Sequence, residues 1–257
     1  MAVRKAPLSM NRRMAAASAA VCRDRDTIYI VCEADVSLPR RLIADIRVRT
    51  GERVSFTAYL VACLAQVVAE NPRFNSLIVR GSLVTLDQVT VGVLVEREID
   101  GEVVPEPLSV RCADTSTLRK IHDAIRAASR APDSRLGGLS GASWVRFVPA
   151  AAFKTMIRLA SRSVRVAQRY GVVSVTAVGM FGTGAMWLVP LSASTVAMGV
   201  GGIVQRACRC EEAVEWREHL CLTLAFDHDV IDGAPAARFC SRLCEVIAGG
   251  EVLRGFA

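Results

Sequence analysis

Phe226-Asp227-His228-Asp229-Val230-Ile231-Asp232-Gly233, FDHDVIDG in one-letter code, follows directly on the apolar run LCLTLA (220–225). That run reads as a buried strand (219–226). The apolar spacing of Ala236–Ile247 reads as a helix that begins near Gly233 or Ala234. Asp232 therefore stands at a helix N-cap, where a carboxylate can accept the free amides of the first turn. His228 is one of three histidines in the chain and sits at the end of the strand. Imidazole is costly to bury without partners and exchanges a proton near neutral pH. On the residues alone His228 is either a chemical group or polar trim on a turn.

The chain has 257 residues, 52% hydrophobic and 22% charged, enough for a large globular core. Its net charge of +7 is carried almost wholly by arginine, because only Lys5, Lys120 and Lys154 are lysines. No basic stripe interleaved with aromatics points to nucleic acid, so anionic small molecules or acidic proteins fit the charge equally well. MAVRKAPLSMNRRM lacks an apolar signal region. The uncharged stretch 171–204 is interrupted by Gly179, Gly182, Gly184, Pro190, Gly199, Gly201 and Gly202, and reads as buried strands, not a membrane span. The nine cysteines read as reduced thiols of a cytoplasmic protein. Cys208, Cys210, His219 and Cys221 have ligand chemistry for zinc. They flank EEAVEWRE (211–218), which reads as a hairpin connection without convergence, so no metal is expected.

Along the chain, helices are expected over 8–23, 38–51 and 56–71, the last capped by Ser55 and stopped before Pro72. A further helix is expected from Thr115 to about Ala131. Strands are expected over 26–37, 89–98, 172–178 and 195–204, with hairpins at SLIVRGSLVTL (76–86) and at the turn Asp100-Gly101 before EVVPEPL. Residues 132–148 read as an inserted loop. FKTMIRLASRSVRVAQRYG (153–171) reads as one helix with Lys154, Arg158, Arg162, Arg165 and Arg169 along one face. That stripe is either a solvated face or a dock for phosphates or an acidic protein. Helices alternating with partly hairpin-linked strands make a single α/β domain with a mixed sheet.

His228-Asp229-Val230-Ile231-Asp232-Gly233 resembles the His-x-x-x-Asp-Gly signature of CoA-dependent acyltransferases. This group includes chloramphenicol acetyltransferase and the catalytic core of the dihydrolipoyl acyltransferases of 2-oxoacid dehydrogenase complexes. DHDVIDGAPAARF is similar to that core over its whole length. PLSMNRRM (7–14), ENPRFNS (70–76), VTVGVLVE with GEVVPEPL, and SVTAVGMFGTG (174–184) resemble other segments of it in the right order.

The resemblance implies a chloramphenicol acetyltransferase-like two-layer sandwich, with helices on one face of a mixed sheet. It also implies one catalytic domain over residues 1–257 and a homotrimer with sites between subunits. In such a site His228 is the general base, a hydroxyl at Thr176 donates to the thioester oxyanion, and Asp232 fixes the architecture around the histidine. A CoA thioester is the co-substrate, with no bound cofactor. Arg158 and Arg162 are the candidates offered for its phosphates.

Two departures bear on the acceptor. Asp229 stands where the dehydrogenase cores usually carry arginine, and no lipoyl or subunit-binding domain precedes residue 7. The expectation is therefore a stand-alone O-acyltransferase that moves acetyl from acetyl-CoA to a hydroxylated small molecule, such as a tetronate in secondary metabolism, or to an intermediate on an acyl carrier protein. The alternatives are a dihydrolipoyl transacylase core served by lipoyl domains of another chain, and a non-catalytic scaffold.

Overall fold

The computed structural model describes residues 3–4, 8–99, 102–130, 150–210 and 213–256. The expected loop 132–148, the turn Asp100-Gly101 and the hairpin tip at 211–212 lie outside them. Strands β1 (Thr27–Asp35), β4 (Val91–Ile99), β5 (Glu102–Val110), β6 (Val173–Ala177), β7 (Val196–Cys210) and β8 (Ala213–Asp227) form one mixed sheet in the order β1-β8-β7-β6-β4-β5. The β4–β6 and β6–β7 pairs are parallel and the others antiparallel. The hairpin expected at 76–86 is β2 (Ser76–Val79) and β3 (Ser82–Thr85). Its two-residue turn places Arg80 and Gly81 at φ 50° and 80°, the left-handed pair that matches strand twist.

Strand alternation gives the sheet two unlike faces. Ile28, Ile30, Cys32 and Ala34 of β1 turn toward the core, which α2 (Ser37–Thr50), α3 (Phe56–Glu70), α4 (Leu118–Arg130) and α7 (Gly233–Gly249) complete on that side. Tyr29, Val31 and Leu94 stand exposed on the opposite face. Helix α3 is apolar on nearly every side and buried throughout its centre, which requires partners all round. The Ser55 side chain caps it by accepting from the Ala58 N–H at 3.3 Å, and the Tyr59 hydroxyl donates to the Ile247 carbonyl of α7. The Ser55 N–H in turn donates to His122 Nδ1 on α4 at 3.0 Å, which fixes that imidazole as an acceptor. Helix α1 (Met10–Cys22) packs on α5 (Ala150–Ala160) through Met14, Ala17, Phe153 and Met156, apart from the main core.

Three expectations need correction. Residues 153–171 form two helices, α5 and α6 (Val164–Tyr170), broken at Ser161-Arg162-Ser163. Serines that bond locally to the backbone compete with helix continuation there. EEAVEWRE is not a connection: from Ala213 onward it is strand, so β7 and β8 run as a long ribbon. Helix α4 starts at Leu118, after a turn in which Cys112 adopts φ 48°, and not at Thr115. The uncharged stretch 171–204 resolves into β6, a long connection and β7, and no helix among the described residues is long and apolar enough to cross a membrane. None of the eight cysteines described is in a disulfide.

Candidate active site

The last eight residues of β8, Leu220–Asp227, are all buried, and they deliver the chain to its turn with little freedom. The Asp227 N–H donates to the Thr195 carbonyl at 3.0 Å, and the His228 N–H donates to the Asp26 carbonyl at 2.7 Å. The Asp227 carbonyl then accepts from both Val230 and Ile231 N–H, at 3.0 and 2.9 Å, closing the turn. Val230 and Ile231 plunge into the core, and Arg73 Nε holds the Val230 carbonyl at 2.9 Å. Beneath them Phe74, Phe226 and Phe239 stack edge and face. Such a floor leaves the His228 ring exposed on a rigid backbone.

The organiser of the turn is the Asp227 carboxylate. It is 3% exposed, forms an ion pair with Arg25, and accepts from the Asp229 N–H at 3.2 Å. A buried carboxylate is strongly unfavourable unless paired and hydrogen-bonded, and here both conditions are met. Arg25 also reaches the Ser161 carbonyl at 3.5 Å, so the break between α5 and α6 abuts the site. A cavity of about 150 Å³ lies there, lined by Arg25, Ser161, Gly171, Ser194 and Thr195 among others. Neither Arg25 nor Asp227 stood out in the sequence. The available signal was an acidic residue closing the apolar run that ends the strand, a position that demands a cation from elsewhere.

Asp232 occupies the N-cap of α7 with extended backbone (φ −81°, ψ 167°), as expected. Its side chain makes no capping hydrogen bond, contrary to expectation, and stays exposed; only its carbonyl is engaged, by the Ala236 N–H at 3.1 Å. His228, Asp229 and Asp232 thus present three polar side chains to solvent around one turn.

Thr176 lies elsewhere. It is half-buried on β6, on the face turned away from the helices, and pairs with Gly199, which pairs in turn with Thr223. The segment after β6 returns across β7 so closely that a Cβ on Gly201 would run into the Met186 carbonyl, and one on Gly199 into that of Leu188. Glycine is required at both positions, which is the physical content of the glycine-rich pattern. His228 comes five residues after Thr223, about 16 Å further along the strand at ~3.3 Å per residue. One chain alone does not bring His228 and Thr176 together.

Arg158 is also remote from a ready anion site. Its guanidinium pairs with Asp24 at 2.8 Å, and Lys154 shares that carboxylate at 3.5 Å, joining α5 to the end of α1. Arg162 is exposed in the helix break, so the stripe is divided between two helices. Cys208 and His219 do approach, at 3.5 Å, but among the described residues no group of three or more His, Cys, Asp or Glu side chains is placed to hold a metal ion.

A helix-backed mixed sheet of this strand order has counterparts among solved structures. The structure superposes on the dihydrolipoamide acetyltransferase of Azotobacter vinelandii with a TM-score of 0.77 at 17% identity, covering 98% of this chain and 94% of that one. The fold is that of the CoA-dependent acyltransferases. A chloramphenicol acetyltransferase matches more distantly, with a TM-score of 0.50 at 12% identity over 95% of each chain. Residues 159–253, which hold β6 to β8 and the whole histidine turn, match the family of 2-oxoacid dehydrogenases acyltransferase (catalytic domain). The dihydrolipoyllysine-residue succinyltransferase component of the 2-oxoglutarate dehydrogenase complex from Staphylococcus saprophyticus is 24% identical over 212 residues. That alignment takes in 81% of this chain and 42% of the relative's length. The acyltransferase architecture expected from the sequence is therefore present, with its layers and mixed sheet.

Proposed function

We propose that this protein transfers an acyl group from a CoA thioester, with His228 as the general base. The observation that carries the reading is the histidine turn: an exposed imidazole on a backbone fixed by Asp227, Arg25 and an aromatic floor. A base held in this way can take the proton of an acceptor thiol or hydroxyl as that atom attacks the thioester carbonyl. The tetrahedral oxyanion then needs a donor, and the Thr176 hydroxyl is assigned that role. Because His228 and Thr176 are far apart within one chain, the site is completed between two copies in a homotrimer. The exposed Tyr29, Val31 and Leu94 on the sheet face away from the helices supply apolar surface for such contact. Asp232 follows His228 by four residues. The Azotobacter vinelandii enzyme has had catalytic roles studied for a serine, a histidine and an asparagine, the last two with the same spacing.

Two acceptors compete. The catalytic-domain match and the succinyltransferase relative favour the thiol of a dihydrolipoyl group. Asp229 beside the base favours a hydroxyl, free or on a carrier protein, since it puts a negative group where the imidazolium forms, and a hydroxyl depends more than a thiol on a well-held base. Release of free CoA from acetyl-CoA and succinyl-CoA, measured with dihydrolipoamide and with a panel of hydroxylated acceptors, decides between them. Turnover on dihydrolipoamide alone assigns a transacylase core. Turnover on hydroxyls alone assigns an O-acyltransferase. No His228-dependent release with any acceptor removes the reading.

A further inference from the structure

The long β7–β8 ribbon carries a second constellation, at the opposite end of the sheet from His228. Cys208 Sγ on β7 lies 3.5 Å from His219 Nε2 on β8. His219 Nδ1 lies 3.6 Å from Glu33 Oε2 on the adjoining strand β1. Both distances fit a ring whose Nδ1 proton faces the carboxylate and whose Nε2 lone pair faces the thiol. Glu33 is itself gripped by Arg206, through Nε at 3.0 Å and through Nη2, which holds its carboxyl below the usual carboxylate range. The carboxylate therefore stays ionised and can hold the ring and its tautomer.

A thiol, an imidazole within reach of it and a carboxylate that orients the imidazole are the three parts of an activated nucleophile. All three side chains are only partly buried, so small molecules can reach them. They are also remote from the histidine turn: nine residues of strand separate His219 from His228, about 30 Å of extended chain. Burial pushes Cys22, Cys63 and Cys221 up, Cys63 to about 12, and none of the three has an imidazole beside it among the described contacts.

We propose that Cys208, His219 and Glu33 form a second nucleophilic site, which takes an acyl group from a thioester. Cys208 Sγ attacks the thioester carbonyl carbon, and its proton passes to His219 Nε2. The new carbon–sulfur bond forms as the bond to the CoA sulfur breaks, and His219 returns the proton to the departing thiolate. The products are S-acyl-Cys208 and free CoA. Thiol for thioester is an even exchange, because the attacking and leaving groups are both alkyl thiols. The choice of a thioester rests on the CoA reading above; the activation of the thiol does not.

The test incubates the full chain with acetyl-CoA and maps acetyl groups on cysteine peptides by mass spectrometry over time. Cys208 is expected to be acetylated first, and His219→Gln to slow this at least ten-fold with unchanged circular dichroism and melting temperature. His228→Ala is expected to leave the labelling intact. Glu33 acts by positioning, so Glu33→Gln should slow the labelling with unchanged melting temperature, and Glu33→Asp should restore part of it. Labelling of Cys208 no faster than of Cys22 or Cys112 overturns the proposal, as does wild-type labelling in His219→Gln or its loss in His228→Ala. If His228→Ala retains full transfer to added acceptors while Cys208 labels as described, only the general-base assignment falls.

Discussion

Removing the guanidinium of Arg25 tests the histidine turn at its root. Asp227 is 3% exposed, so Arg25→Met leaves a buried carboxylate with its Asp229 N–H bond and no cation. Breaking one side of a buried ion pair costs about 3–5 kcal/mol. At ~2–4 °C per kcal/mol for a chain of this size, the melting temperature should fall by roughly 6–20 °C. Asp227→Asn is the milder cut. Its amide oxygen can still accept from the Asp229 N–H, and Arg25, 20% exposed, can turn toward water, so about 1–3 kcal/mol is expected. The double variant Arg25→Met/Asp227→Asn should be less damaged than the sum of the two, with a coupling of about 1–3 kcal/mol, because the second change removes the charge that the first left stranded. Urea denaturation of the four proteins gives the cycle.

The same proteins report on positioning. A turn displaced by even 1 Å can lose about 10²-fold in rate, so kcat in Asp227→Asn should fall while the KM for acyl-CoA changes little. Additive single effects, or singles costing under about 1 kcal/mol, would refute the pairing argument. A destabilised Asp227→Asn with unchanged kcat would leave the ion pair structural and take away its hold on His228.

His228→Ala should reduce acyl transfer by about 10²–10⁴-fold with the fold intact, measured as CoA release. Thr176→Ala should cost on the order of 10²-fold in kcat, and unchanged turnover removes the oxyanion assignment. Refolding equal amounts of those two variants together should restore about one quarter of wild-type activity if each site in a symmetric trimer draws one residue from each of two chains; no recovery places both residues in one chain. His122 supplies a pH test: burial, helped by Arg126 and Arg119, holds its imidazole below the ordinary histidine value. The unfolded chain then binds the extra proton first, so the stabilising effect is complete above about pH 6.5 and is lost as the pH falls toward the depressed folded value. His122→Ala should flatten that part of the stability–pH curve and cost about 1 kcal/mol at pH 7.5 through the Ser55 N–H it leaves unpartnered.

The parts of the fold that could be read from sequence are those decided by neighbours a few residues apart. Ser55 followed by an unbroken apolar run names α3 and its cap, and Arg80-Gly81 between two β-rich segments names the β2–β3 turn. The parts that could not be read are those in which local signals oppose tertiary ones. EEAVEWRE is charged because both faces of a projecting ribbon meet water, with Val214 and Trp216 exposed as well, so composition alone cannot separate such strand from loop. The basic spacing from Lys154 to Arg169 keeps helical period across Ser161-Arg162-Ser163, and period alone does not register a break of three residues.

The candidate site divides along the same line. His228 was legible because strand, turn and cap signals meet within eight residues, and because the motif they form resembles a known one. What holds His228 was not legible, since Arg25 lies 202 residues from Asp227 and nothing local marks it as the partner. Asp232 shows the cost of reading a role from position alone: the N-cap geometry is there and the side-chain bond is not. That difference has a consequence for the chemistry. A carboxylate spent on the first turn of α7 would be fixed and half-neutralised by the helix amides. Left exposed, Asp232 keeps its rotamers four residues from the proposed base, free to meet a second copy of the chain in the proposed trimer.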